Sequence, residues 1–146
     1  MREDGVLYLD DIGIGDVLTA GPYRTTREEM VEFACRWNPR QDYLAGEIAC
    51  PEYVRAVKQR LVSELGIAES IIGAVGHDDI SYPVPARPGD AITSRFEAIE
   101  LHPSRSKPDR GVGKFRVTIA NQRGETLLSY IDIIMMGRRP SQETSG

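Results

Sequence analysis

Apolar residues recur every three or four positions in the first part of this chain, a period that predicts amphipathic helices. One helix is predicted to begin at Thr26, because Thr26 and Glu29 have the capping-box spacing in which each side chain satisfies a free backbone N–H. Pro39 disfavours helical geometry at Asn38, so the helix is expected to end there. Its apolar stripe consists of Met30, Phe33, Ala34 and Trp37.

A second, longer helix is predicted from Pro51 to Leu65. Proline suits the first helical position, where its missing N–H would have no partner in any case, and Gly66 is expected to cap the C terminus. The predicted apolar face consists of Val54, Val57, Leu61 and Leu65. The opposite, polar face consists of Arg55, Lys58, Gln59 and Glu64.

From about residue 78 onward the period falls to two, which is typical of β-strands. Two half-buried strands are predicted around Phe96–Ala98 and Phe115–Ile119, and an irregular or edge strand among prolines at Tyr82–Val84. The run from Thr126 to Met136 is apolar on both faces apart from Ser129 and Asp132. It is therefore predicted to lie in the interior of the sheet.

These elements, with a further strand predicted at Val6–Tyr8, constitute an α+β fold in which a long helix packs on an antiparallel sheet. We expect a single domain over residues 1–139 and a flexible polar tail at residues 140–146. The two histidines, His77 and His102, are expected in solvated positions at a loop and a strand end.

Composition narrows the class of protein. The 146 residues contain 27% charged residues, and no apolar run approaches the ~20 residues that cross a bilayer. A net charge of −4 argues against nucleic acid as a partner. Met1–Gly5 lacks the apolar segment of a signal peptide, and Cys35 and Cys50 have neither a disulfide pattern nor a metal-binding spacing. We therefore expect a cytoplasmic protein with no metal and no membrane contact.

A basic loop is the exception on this acidic chain. Arg105, Lys107 and Arg110 lie close together in sequence, a pattern that can mark the binding site of an anionic ligand. It also fits a solvated turn. Both interpretations stay open.

The stretch from Arg36 to Gln41 resembles the Asp-x-Asn-Pro-x-His signature of MaoC-like dehydratases and (R)-specific enoyl-CoA hydratases. Asn38 and Pro39 match that signature, whereas Arg36 stands in place of the catalytic Asp and Gln41 in place of the catalytic His. Other segments resemble the family in the same order, namely Asp10–Val17, Gly46–Ala49, Pro85–Asp90, Pro103–Gly111 and Asn121–Gly124.

The resemblance implies a hot-dog fold, in which a curved antiparallel sheet of five or six strands wraps a long central helix. It also implies an acyl-CoA or acyl-carrier thioester as ligand, no cofactor, and a tunnel between subunits of a homodimer or of a hetero-oligomer with a second hot-dog chain. The implied substrate-binding residues are Arg36, Asn38, Gln41, Ile48, Ala49 and Cys50, with Arg105, Lys107 and Arg110 of the basic loop.

The departures from the family pattern affect its chemistry. Arginine stays protonated and glutamine does not titrate, so neither Arg36 nor Gln41 offers a base. The family's carbonyl donor is a glycine N–H, and Pro51 has none. The sequence predicts a hydratase-type protein that alone is weak or inactive, for instance a partner subunit. Two alternatives are a thioesterase using a carboxylate such as Asp42 or Glu47, and a non-catalytic acyl-thioester binding protein.

Overall fold

A computed structural model describes residues 5–140, and within them one antiparallel sheet packs against helices. The strands are β1 (Val17–Arg24), β2 (Ile71–Ser81), β3 (Ala91–Pro103), β4 (Arg110–Ala120) and β5 (Thr126–Gly137), in the spatial order β1-β3-β4-β5-β2. Every neighbouring pair is antiparallel. The α+β prediction is therefore confirmed, and so is the interior position of β5, which pairs with β4 on one side and β2 on the other.

The longest helix lies across the inner face of the sheet. The helices are α1 (Arg27–Trp37), α2 (Gln41–Leu44) and α3 (Pro51–Val62). Helix α3 contacts β1, β3 and β5, so the sheet curves around it. Its buried side chains Val54, Val57 and Leu61 belong to the same core as Phe96 and Phe115 of the sheet. None of the helices in the described part of the chain is long and apolar enough to cross a membrane.

Helix α1 begins and ends where the sequence predicts, but only half of its capping box forms. The Thr26 hydroxyl accepts a hydrogen bond from the Glu29 backbone N–H at 3.2 Å. The Glu29 carboxylate instead accepts hydrogen bonds from the hydroxyls of Tyr23 at 2.7 Å and Tyr53 at 2.6 Å, which ties α1 to β1 and α3. Trp37 is 67% exposed, so including it in the buried stripe was wrong.

The predicted C terminus of α3 is wrong. The helix ends at Val62, three residues before Leu65. Gly66 does not cap the helix. Its carbonyl accepts a 2.7 Å hydrogen bond from the Leu7 N–H, which brings the backbone at Gly66 close to the segment around Leu7. A Cβ at Gly66 would lie only 2.9 Å from the Leu7 side chain, so a larger residue would push this segment away.

Lys58 does not lie on an exposed face. Only 7% of it is accessible, because its ammonium group lies 3.4 Å from the buried carboxylate of Asp132 on β5. The helical pattern of α3 predicted its apolar residues correctly, but a buried ion pair formed with a distant strand is invisible to that pattern.

Two predictions about the strands are wrong, and so is the prediction that His77 lies in a loop. The Val6–Tyr8 segment is irregular, and the first strand is β1, whose edge position and internal proline gave no clean alternation. Strand β2 ends before the proline-rich segment, so Tyr82–Val84 is a loop, although β2 does lie at a sheet edge. His77 lies within β2 and contacts other side chains. Most of the predicted tail, residues 141–146, lies outside the described residues.

Candidate functional site

The turn that precedes α3 forms one side of a small apolar cleft. The Ala49 N–H donates to the Ala86 carbonyl at 2.8 Å, which fixes the turn against the proline-rich loop. Pro51 starts the helix and has no N–H. The cleft has a volume of about 110 Å³ and is lined by Tyr43, Ile48, Ala49, Pro51, Val54, Tyr82, Val84, Pro85 and Leu127. It is shaped to hold a short apolar group.

Asn38 of the sequence motif lies beside the same helix N terminus. Its side-chain amide donates to the Glu52 carboxylate at 2.9 Å. This hydrogen bond, followed by one from the backbone N–H of Glu52 itself, lowers the pKa of the Glu52 carboxyl. An ionised carboxylate therefore occupies the positive end of α3, where the resembled family would bind a thioester carbonyl.

Glu52 is a candidate that the sequence did not reveal. Asp42, named instead, is exposed and pairs with Arg40 at 3.4 Å, and Glu47 is exposed. Glu52 is separated from Asn38 by 14 positions, so only the folded chain shows that the two side chains meet. Its one sequence signal is an acidic residue in the first turn of a helix, which is common.

The two replaced positions flank Asn38 and are open to solvent. Arg36 and Gln41 are exposed, and within residues 5–140 neither side chain makes a hydrogen bond or an ion pair. Arg36 lines a shallow depression on the surface of α1 together with Phe33 and Trp37. The Arg36 side chain therefore extends into solvent.

Cys50 is fully buried at the start of α3. Burial is the main cause that raises the pKa of its thiol. A raised pKa keeps the group protonated at neutral pH, so it does not supply a thiolate nucleophile. Cys50 is therefore a small buried residue of the hydrophobic core.

The basic loop lies at the far end of β3 from the cleft. The segment before β3 lies close to the segment before α1, because the Thr25 N–H donates a hydrogen bond to the Asp90 carbonyl. The loop follows the other end, after 13 residues of strand, which is about 40 Å along the chain. Arg110 is already paired with Asp109, at 2.9 Å. Within a single chain, the basic loop and the cleft therefore lie far apart. Ligand binding by Arg105, Lys107 and Arg110 stays a prediction.

A second polar group of side chains lies beneath α3. Besides the Lys58–Asp132 pair, the His77 Nε2 atom lies 3.2 Å from the other Asp132 oxygen, and Arg55 donates to His77 Nδ1 across 3.0 Å. Burial lowers the pKa of Lys58, and the charge of Asp132 opposes that shift. The signal for this cluster in the sequence was Asp132, a charged residue inside an otherwise apolar strand.

Comparison with known proteins finds similarity at the level of structure. No protein-family model matches the chain, and no curated protein sequence matches it. A MaoC-like dehydratase from Rhodospirillum rubrum is 26% identical, with a TM-score of 0.82 over 92% of this chain and 99% of that one. The R-hydratase PhaJ1 from Pseudomonas aeruginosa is 16% identical, with a TM-score of 0.70 over 92% and 88% of the two chains.

A conserved protein from Mycobacterium tuberculosis with a double hotdog fold is 18% identical, with a TM-score of 0.69 over 96% of this chain and 47% of that one. These similarities confirm the predicted hot-dog fold. They also confirm the resemblance to MaoC-like dehydratases and (R)-hydratases that the Asn38-Pro39 stretch indicated.

Proposed function

We propose that this hot-dog chain, similar to MaoC-like dehydratases and (R)-hydratases, binds an acyl thioester in the cleft at the N terminus of α3 and does not hydrate it alone. The thioester is one of coenzyme A or of a carrier protein. The observation that carries the proposal is the combination of an intact apolar cleft with Arg36, Gln41 and Pro51 at the positions where the family has its reactive groups.

This site has residues suited to binding a thioester but lacks the groups that would hydrate it. Ile48, Ala49 and Val54 leave an apolar surface for an acyl chain. A hydratase also needs an acid–base pair and a donor for the thioester carbonyl. Arg36 and Gln41 supply no base, and Pro51 supplies no N–H. The chain therefore fits a subunit that holds a thioester while a second hot-dog chain carries the reaction.

The exposed edge of the sheet supports such an assembly. Strand β2 has one unpaired edge. Its side chains Ile72, Val75 and Ile80 are exposed, as is Tyr82 in the loop that follows, and 56% of Val75 is accessible. An unprotected apolar edge strand is a surface for pairing with another strand. We propose a second hot-dog chain as the partner, either a copy of this chain or one with the reactive pair intact.

Sedimentation tests the assembly. We expect a dimer or larger oligomer at micromolar concentration, and a shift to monomer in Val75→Lys, because a charge on the edge strand opposes pairing. Val17→Lys is the matched control, since Val17 is an exposed valine on the opposite edge strand. A monomeric wild type would contradict the prediction.

Calorimetric titration with butyryl-CoA tests the binding site. We expect saturable binding that weakens at least about tenfold in Val84→Trp, because the indole fills the cleft and excludes methylenes worth about 0.8 kcal/mol each. Ile14→Trp is the control, at an exposed position away from the cleft. Arg105→Ala and added salt test the basic loop in the same titration. Binding that Val84→Trp leaves unchanged would contradict the proposed site.

A thioesterase is the second candidate, favoured by the Glu52 carboxylate that Asn38 holds beside the cleft. Such a carboxylate could activate water against a bound thioester. Free CoA would then accumulate during the titration, and Glu52→Gln would abolish its release while leaving binding in place. Absence of free CoA release would exclude this candidate and leave the binding function standing.

A further inference from the structure

An aromatic pocket lies where side chains of β1, α1 and α3 meet, and it shares no lining residue with the cleft. Its volume is about 220 Å³, which is room for a small molecule. The lining consists of three aromatic side chains, two aliphatic ones and one charge of each sign, namely Tyr23, Phe33, Tyr53, Ala56, Val57, Glu29 and Arg60. A mostly apolar pocket with a few convergent polar groups is the usual form of a ligand site.

The negative charge of the aromatic pocket is held in place. The Glu29 carboxylate accepts hydrogen bonds from the Tyr53 hydroxyl at 2.6 Å and from the Tyr23 hydroxyl at 2.7 and 2.8 Å. The bond to Glu29 raises the pKa of Tyr23, and burial followed by the same carboxylate raises the pKa of Tyr53, so both phenols stay neutral. In residues 5–140 no cationic side chain lies at ion-pair distance from Glu29. The carboxylate is thus fixed but not neutralised.

Two aromatic rings form a corner beside this carboxylate. The rings of Phe33 and Tyr53 are inclined at 79° with their centres 5.7 Å apart. The face of an aromatic ring attracts a cation, and the attraction is used most often for ammonium groups that carry methyl groups. Ring faces at right angles contact such a group from two sides, while Glu29 supplies the opposite charge. This part of the pocket is suited to a quaternary ammonium.

The positive charge of the pocket lies further along α3. Arg60 follows Tyr53 by seven residues, about 10 Å of helix. One of its N–H groups donates to the Ser63 hydroxyl at 3.0 Å, and the described part of the chain places no carboxylate at ion-pair distance from it. The remaining N–H groups suit a carboxylate. The adjoining depression adds Glu32 and Arg36, one charge of each sign, and so leaves the balance unchanged.

We propose that the aromatic pocket binds a small zwitterion, with a quaternary ammonium against Glu29 and the two rings and a carboxylate on Arg60. Such a ligand balances two protein charges that have no partner within the described residues, and it brings no net charge of its own. Because the two protein charges are not in contact, the ligand needs a short carbon chain between its own charges, as in γ-butyrobetaine. The site is separate from the proposed thioester cleft and does not depend on it.

An NMR titration of the isotope-labelled chain with three probes of similar shape tests the proposal. The first is γ-butyrobetaine, the second is its isostere with tert-butyl in place of trimethylammonium, and the third is butyltrimethylammonium, which lacks the carboxylate. We expect γ-butyrobetaine to bind at least about fivefold more tightly than either of the others, since each lacks one of the two charges. Failure of γ-butyrobetaine to bind, or equal binding of all three probes, would overturn the proposal.

Variants assign each charge of the ligand to its residue. Glu29→Gln is expected to remove the preference for γ-butyrobetaine over the tert-butyl probe, and Arg60→Gln the preference over butyltrimethylammonium. Glu28→Gln is the matched control, because Glu28 is an exposed carboxylate of the same helix that does not line the pocket, and it should change neither preference.

Phe33→Leu keeps the pocket apolar and removes one ring face, so it tests the ammonium site even if Glu29→Gln fails to fold. We expect it to lower the preference for γ-butyrobetaine over the tert-butyl probe several-fold, since the uncharged group gains little from a ring face. A preference that survives both Phe33→Leu and Arg60→Gln would show that the zwitterion binds elsewhere, and the proposed site would be wrong.

Discussion

Asp132→Ala is expected to lower the free energy of unfolding by about 3–5 kcal/mol, because it leaves the ammonium group of Lys58 buried without its partner. Both side chains are at most 9% exposed and lie 3.4 Å apart, so solvent screens them little. Urea unfolding at fixed protein concentration measures the change as a lower midpoint with an unchanged slope.

Two further variants make the stability test specific. Replacing both partners, Lys58→Met with Asp132→Leu, is expected to restore most of the loss, since an apolar pair of similar size needs no charge partner. Asp109→Ala removes an exposed carboxylate and is expected to leave the free energy of unfolding unchanged. A loss from Asp132→Ala no larger than that of Asp109→Ala would show that the buried pair is unimportant.

Arg36→Asp combined with Gln41→His is expected to create detectable hydration of crotonyl-CoA, an activity that we expect the wild-type chain to lack. General acid–base groups contribute roughly 10²–10⁴-fold to such rates. Both positions flank Asn38, whose side chain contacts the first turn of α3.

Pro51→Gly added to that pair is expected to raise the rate again, because a carbonyl donor contributes about 10²–10³-fold. The matched control is Pro51→Ala in the same background, which restores the N–H without the flexibility of glycine. The hydration rate of each variant is followed by the loss of enoyl thioester. If Pro51→Gly and Pro51→Ala add nothing, the missing N–H does not limit the reaction.

Local signals made much of the fold predictable. Thr26 and Pro39 mark the ends of α1 through capping and sterics that act within a few residues. The alternation of apolar and polar residues around Phe96 and Phe115 indicates strands whose two faces differ in burial. Strand β1 was not predicted, because it lies at a sheet edge where few of its side chains are buried and its apolar residues do not alternate regularly.

Contacts between distant residues account for what the sequence did not show. Lys58 and Asp132 are separated by 74 positions, and a lysine on a helix is ordinarily solvated. Glu52 acquires its importance from a hydrogen bond to Asn38 that depends on how α1 meets α3. The motif around Asn38 pointed to the right place, but the contacts that distinguish this site arise only when the chain folds.

The hydration of crotonyl-CoA by the purified wild-type chain tests the central claim most directly. With Arg36, Gln41 and Pro51 in place of the family's reactive groups, we expect saturable thioester binding and a hydration rate no greater than that of buffer. Turnover near the usual enzyme median of ~10 s⁻¹ would contradict the claim and would mean that another group, such as Glu52, carries the reaction.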